Sequence, residues 1–417
     1  MPEFAIANSF PTDGFSRVEA APSLPIEIVG VLGGGQLAGM LSEAAHHLGL
    51  ELRIQTPAAT DSALYTRQKL DLKSEFILSP ITDITATQQL AAECQVITFE
   101  NEFVDLDALG GLASQGVCFR PNLASLAPLL DKYHQRSSLR AWDIPVPKFD
   151  RLLAPELPLG LNFPVVIKAR RHGYDGQGTF ICQSLVQLQQ FWQQAPIPEA
   201  EKPQTWMVED FVPFNRELAV MAARSATGEL SLFPIVETYQ RHQICHWAIA
   251  PSLLAPGPQQ QIQEIALQIL EKLEMVGILG VEFFQTAAGN ILVNEIAPRT
   301  HNSGHLSLEA CATSQFEQHL RAICGLPLGD TALQVPSAVM VNLLGFESAS
   351  ADYQPQRQAL AALPDAHVHW YGKLQSRPGR KLGHVTVLLP SVDRDCALEM
   401  AQTVETLWYA NSGETRP

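Results

Sequence analysis

The feature that most constrains the fold is the run Pro164-Val165-Val166-Ile167-Lys168, a Gly-rich stretch holding Gly173, Gly176 and Gly178, and a second β-prone run from Thr179 to Ile181. An apolar strand delivers a lysine, a glycine loop follows, and a second strand leaves. The glycines therefore cap a hairpin instead of opening a helix, which excludes a Walker P-loop, since that motif runs straight into a helix. Glycines let the backbone approach phosphate oxygens, while Lys168, Arg170 and Arg171 supply positive charge. A hairpin tip carrying solvated cations is the plain alternative.

A second constellation points the same way. Glu282 and Glu295 lie on two β-prone runs joined at Ala288-Gly289. A two-residue turn there places the two carboxylates directly opposite one another, where like charges repel unless something positive lies between them. With Asn294 they offer hard oxygen ligands, suited to magnesium carrying nucleotide phosphates better than to zinc. Solvated glutamates on an exposed strand face are the alternative. Just downstream, Arg299, His301, Asn302, Ser303 and His305 pack donors into a loop before a helix, an arrangement for an anionic substrate. The two histidines fit capping or structural roles equally well. Lys373 and Arg380 flank the turn Ser376-Arg377-Pro378-Gly379 and could close a cationic lid.

The rest of the chain frames these motifs. A strand at 26–31, a turn at Gly33-Gly34-Gly35, a helix at 36–49 and a strand at 51–55 form a β-α-β opening. With a strand at 96–99 they predict an open parallel sheet, whose ligands bind beyond the strands' carboxyl ends. The glycine turn suits a phosphate or is simply tight; the full dinucleotide fingerprint is absent. Residues 123–327 alternate paired strands with helices at 258–273 and 307–324, an α+β pattern, and Cys311 inside the latter helix is expected to be a buried structural thiol. Strands at 339–344, 367–371 and 384–389 with a helix at 394–407 predict a β-rich end; His367 and His369 share a strand face there but lack a third metal ligand. The expected units are a flexible tail 1–24 and domains 25–122, 123–330 and 331–417.

The formal charge of −15 disfavours nonspecific nucleic-acid or anionic-membrane binding. A 46% hydrophobic, 17% charged composition belongs to a folded chain with sizeable cores. No apolar run reaches the roughly 18 residues of a membrane span. The 7 cysteines are scattered, without a C-x-x-C pair, and read as reduced thiols in a cytoplasm.

Taken in order, the lysine strand, the glycine hairpin and the paired glutamates resemble the ATP-grasp carboxylate–amine ligase superfamily. Within it, Gly33-Gly34-Gly35-Gln36-Leu37, Gly173-Tyr174-Asp175-Gly176, Asn294-Glu295-Ile296-Ala297-Pro298-Arg299, His301-Asn302-Ser303-Gly304-His305, Trp370-Tyr371-Gly372-Lys373 and Arg377-Pro378-Gly379-Arg380-Lys381 resemble the 5-(carboxyamino)imidazole ribonucleotide synthase family. The resemblance covers everything after about residue 26. It implies a substrate-binding N-terminal α/β domain, a central ATP-grasp domain and a small β-rich C-terminal domain. It further implies carboxylation of 5-aminoimidazole ribonucleotide by bicarbonate in purine biosynthesis, through carboxyphosphate and transient CO₂. The reaction would need ATP and magnesium, with manganese as a substitute, and no biotin, in a cytoplasmic homodimer.

By the same resemblance, Lys132 and Lys168 contact ATP phosphates, covered by Gly173, Tyr174, Asp175, Gly176, Gln177, Gly178 and Thr179. Glu209, Asp210, Phe211 and Val212 form the adenine hinge, Glu217 binds ribose, and Gln240 and Asn294 lie beside the nucleotide. Glu282 and Glu295 hold the metal. Arg299, His301, Asn302 and Ser303 line the bicarbonate site, while Gly35, Gln36, Glu100, Tyr174, Asp175, Lys373 and Arg380 reach the ribonucleotide. Gln177, Gly39 and Gln240 each stand where the family commonly has a cation. Rival assignments are another ATP-grasp ligase, such as a formate-using glycinamide ribonucleotide transformylase, and a non-catalytic nucleotide-binding homologue.

Overall fold

The computed structural model describes residues 26–171, 173, 178–198 and 201–410. The expected tail and the loop positions Tyr174, Asp175, Gly176 and Gln177 lie outside the described residues.

Ile28–Leu32 is almost wholly buried, and such a continuous apolar run belongs in a parallel sheet covered on both faces. It sits between Glu51–Thr56 and Val96–Phe99 in the expected open parallel sheet, and Ser74–Leu78, a strand the sequence reading did not mark, adds a fourth at the edge beside Glu51–Thr56. Helix Gln36–Leu48 ends at Gly49, whose left-handed φ of 70° lets its N–H reach back to the last turn. In the turn before this helix, a Cβ on Gly34 would lie 2.3 Å from Thr56 Oγ1, so the glycine is required by close approach.

A small antiparallel sheet follows in the order Phe149–Arg151, Trp206–Asp210, Val165–Ala169, Thr179–Cys182. Lys168 pairs with Thr179, so the glycine-rich stretch does span a hairpin. Among the described residues the large sheet has nine strands, of which the short Leu230–Leu232 pairs off the main path with Phe214–Arg224. Ile291–Ala297 lies at one edge, followed by Gly277–Thr286, Phe214–Arg224, Val236–Arg241 and Ile244–Ala250. Helix Pro256–Leu273 packs Ile262, Ile265, Ala266 and Ile269 against this sheet, the spacing of one helical face. Ser337–Leu344 pairs directly with Ile244–Ala250 and is followed by Lys381–Leu389 and Ala366–Trp370, so the C-terminal strands continue the central sheet.

The expected helix over 307–324 is two helices, Ser307–Ala310 and Gln315–Cys324. Ser314 accepts from the Glu317 N–H and so starts the second helix afresh. Cys311 falls in the break, extended and bridged to Leu333 rather than helical. It remains a structural thiol, buried and pushed up to about 12 by that burial.

Three histidines make stability sensitive to acid. His305, His319 and His384 are buried, and burial holds His319 at about 4 and the other two well below the ordinary 6.5. Below about 6.5 the unfolded chain takes up these protons and the folded one does not, so stability is full above that value and falls as pH drops. The loss approaches roughly 1.4 kcal/mol per pH unit for each histidine. A melting temperature that stayed flat from about pH 7 to about pH 5 would contradict this.

Candidate active site

A cleft of about 660 Å³ opens where the carboxyl end of the parallel sheet, both antiparallel sheets and the C-terminal turn meet. Its centre is the hairpin carrying Glu282 and Glu295, which are paired as expected, though by a different route. The loop holds three residues rather than two, with Gly289 at φ 83° and Thr286 and Asn290 closing it. That shifts the register by one, and a bulge restores it, because Phe283 pairs with Val293 and leaves Asn294 as the extra residue. Strict alternation would turn Asn294 and Glu295 to opposite faces. The bulge brings both into the cleft.

The electrostatics of this centre are unbalanced towards acid. Lys132, first residue of helix Lys132–Ala141, lies 2.6 Å from Glu295. Burial works against the Glu295 charge, but Lys132 outweighs it and holds the carboxyl below its ordinary range. Glu282 has no lysine or arginine at that distance among the described residues; it accepts from Asn294 Nδ2 at 3.3 Å and lies 3.5 Å from His301 Nε2, and burial and then Glu295 raise it to about 7. Burial and Glu282 likewise raise Glu217 to about 8. Lys168 is buried, 2.6 Å from Glu209, and donates to Asn294 Oδ1 at 3.1 Å.

Glu209 lies at the end of Trp206–Asp210, where the adenine hinge was expected, but its carboxylate is committed inward. Arg136 donates to Glu209 Oε2 through Nε (3.0 Å) and Nη2 (2.9 Å) and to the Val293 carbonyl through Nη1 (3.2 Å). Burial opposes the Glu209 charge, yet Arg136 and Lys168 hold it down at about 2. Asp210, Phe211 and Val212 continue along the cleft wall with Gln240, and Gly173 and Thr179 border its mouth.

The donor loop is a 3₁₀ turn, Asn302–Gly304, preceded by Arg299. Arg299 donates to both carboxylate oxygens of Glu102, at 2.5 and 3.3 Å. His301 Nδ1 lies 2.8 Å from Ser303 Oγ, and burial, then Arg299 and Lys381, depress the ring to about 3, so it is neutral. Asn302 exchanges two amide hydrogen bonds with Asn342, at 2.9 and 2.7 Å. His305 is buried in the cleft wall, its ring tilted by 39° against His384 at 4.9 Å between centroids, a packing that supports the structural role.

On the first domain, Gln36 and Glu100 reach the cleft. Glu100 accepts from the Leu37 N–H, and a Cβ on Gly35 would lie 2.3 Å from its Oε1. The helix start, read from sequence as suited to a phosphate or simply tight, therefore holds the Glu100 side chain. Opposite it, Lys373 donates to the Lys381 carbonyl and Arg380 closes the turn onto Arg377.

Some expectations are corrected. Arg170 is paired with Asp131 at 2.8 Å and Arg171 lies 3.5 Å from the same acid, and neither is among the described residues lining the cleft. Gly39 also lies elsewhere: a Cβ there would be 2.7 Å from Thr66 Oγ1, so its lack of charge reflects helix packing. Sequence reasoning gave no role to Arg136, Glu102, Lys381 or Asn342. Lys381 stood at the end of a quoted motif, and Arg136 left a signal of its own, four residues after Lys132 on the same helix face.

Fold and cleft together define an ATP-grasp enzyme, and residues 138–316 match the ATP-grasp domain family. Residues 26–128 match the ribonucleotide synthetase preATP-grasp domain, and 338–395 the phosphoribosylaminoimidazole carboxylase C-terminal domain. An N5-carboxyaminoimidazole ribonucleotide synthase of Synechocystis sp. is 49% identical over 397 residues, 91% of this chain and 98% of that one. The crystal structure of the Thermotoga maritima synthetase of the same name superposes with a TM-score of 0.78 at 36% identity, covering 91% of this chain and 98% of that one. The Aspergillus clavatus synthase, solved with ADP and 5-aminoimidazole ribonucleotide, gives 0.81 at 30% identity, covering 92% and 99%. The chain belongs to the N5-carboxyaminoimidazole ribonucleotide synthase family.

Proposed function

We propose that this cleft carboxylates the amine of 5-aminoimidazole ribonucleotide with bicarbonate, using ATP, in purine biosynthesis. The observation that carries the reading is the convergence in one cleft of two lysines, two opposed carboxylates and the Arg299 to Ser303 donor loop. Adenine would lie along Asp210, Phe211 and Val212, ribose at Glu217, and the phosphates between Lys132 and Lys168. Lys168 is already pinned by Glu209 and Asn294, so it is positioned before nucleotide arrives.

Two carboxylates face each other, Lys132 is paired with only one of them, and burial and the Glu295 charge raise the other, Glu282, to about 7. Such a pair fits a hard divalent ion. No three His, Cys, Asp or Glu side chains among the described residues form a metal cluster, so nucleotide oxygens would complete the coordination. Glu282 and Glu295 would hold magnesium, or manganese in its place, which supplies charge neutralisation at the phosphoryl oxygens. Arg299, Asn302, Ser303 and neutral His301 would hold bicarbonate in line with the γ-phosphoryl group. A bicarbonate oxygen displaces ADP to give carboxyphosphate; the carboxyl group then passes to the amine, with loss of phosphate and the amine proton. Gly35, Gln36, Glu100, Lys373 and Arg380, with Tyr174 and Asp175, would seat the ribonucleotide.

The working assembly is proposed as a cytoplasmic homodimer. With MgATP and bicarbonate, ADP and phosphate release should depend on added 5-aminoimidazole ribonucleotide, and light scattering of the same sample should give twice the chain mass. Tight ATP binding without ribonucleotide-dependent release would overturn the assigned reaction, and a single-chain mass would overturn the dimer.

A further inference from the structure

Gln315 lies behind the donor loop and has no part in the chemistry above. It opens helix Gln315–Cys324 and is wholly buried. Its amide brackets one residue of the loop: the His301 N–H donates to Gln315 Oε1 at 2.8 Å, and Gln315 Nε2 donates to the His301 carbonyl at 2.7 Å. Only an oxygen can meet that N–H, so the amide orientation is fixed. Its nitrogen then also faces His305 Nδ1 at 3.0 Å, which must accept, leaving the His305 proton on Nε2. Helix and loop are tied a second time, because the Gln315 N–H donates to Ser307 Oγ, whose own hydroxyl donates to the Gly304 carbonyl at 2.6 Å. A Cβ on Gly304 would lie 2.7 Å from Gln315 Oε1, so the loop is packed directly on the amide.

We infer that Gln315 is a positioning residue for the carboxylation, holding His301 and the turn after it in the geometry that receives bicarbonate. This rests on the proposed reading of the Arg299 to Ser303 loop. The physical reason is that a loop backbone has no ladder of its own to fix it, while an amide at both its N–H and C=O removes the peptide's freedom to rotate. A displacement of the order of 1 Å at a reacting group costs about 10²-fold in rate. The same device recurs at Gln135, which brackets Ile296, next to Glu295, at 2.9 and 3.0 Å.

The test is steady-state kinetics on Gln315→Met, which keeps length and volume but removes both hydrogen bonds to His301 and the one to His305. We expect kcat/KM for bicarbonate to fall by about 10²-fold, with KM for ATP within about twofold of the parent. Gln135→Met should do the reverse and move the ATP parameters. Gln315→Glu keeps the acceptor and loses the donor; its defect should shrink as pH is lowered, because a protonated carboxyl can again donate to the His301 carbonyl. Equal losses on all substrates in Gln315→Met, or a Gln315→Glu defect independent of pH, would make the residue merely structural and overturn the inference. His301→Ala separates the two readings. If it leaves bicarbonate kinetics untouched, the loop assignment fails; if it moves them while Gln315→Met does not, only the positioning role fails.

Discussion

Glu295→Gln is expected to lower ribonucleotide-dependent ADP release by about 10³-fold, the scale seen when a charge-compensating group is removed from phosphoryl transfer. The substitution keeps shape and removes one of two opposed charges, so the site can no longer offer two carboxylates to a divalent ion. Folding should barely change. The Lys132–Glu295 pair is partly exposed, 18% and 37% on its two side chains, and pairs of that kind contribute no more than about 1 kcal/mol. Losing Glu295 also removes the repulsion that helps keep Glu282 at about 7, so Glu282 should titrate lower in the variant. Measured side by side, turnover should collapse while the melting curve stays within a few degrees. Parental activity with magnesium present would refute the metal assignment, and loss of the folded state would refute the claim that these acids serve chemistry rather than architecture.

Why that pair could be found from sequence, and its neighbours could not, follows from the range of the interactions involved. Glu282 and Glu295 are joined by a short hairpin, so local pairing rules reach them. Even there two departures offset each other: the longer loop moved the register and the bulge at Asn294 moved it back. A bulge leaves no period in the sequence, because it exists only as a mismatch between two strands. The glycine hairpin and the parallel opening were legible for the same local reason. By contrast, Arg136 meets Glu209 across 73 residues and Arg299 meets Glu102 across 197, and nothing in either segment alone specifies the partner. Strand patterning likewise revealed the C-terminal strands without saying that they would extend the central sheet. The positive charges beside the glycine loop misled because Asp131, from another element, holds both arginines.

The long-range pairs make the other large prediction. Arg136 and Glu209 are each about 3% exposed at the side chain, and Lys168 shares the same carboxylate. Arg136→Met removes a partner from a buried charge, which costs about 3–5 kcal/mol, and also leaves the Val293 carbonyl without that donor, beside the bulge that presents Asn294. The consequence reaches function because Glu209 must then be neutralised by Lys168 alone. A lysine drawn fully onto a buried carboxylate has less charge to offer a phosphate, so KM for ATP should rise by about tenfold, equivalent to roughly 1.4 kcal/mol. The double variant Arg136→Met with Glu209→Gln discriminates between lost packing and unpaired charge. If the unpaired carboxylate causes the damage, denaturant unfolding of the double variant should recover part of the stability lost by Arg136→Met. Additive losses would mean instead that the guanidinium acts chiefly by packing. An unchanged KM for ATP in Arg136→Met would separate Lys168 from the nucleotide phosphates.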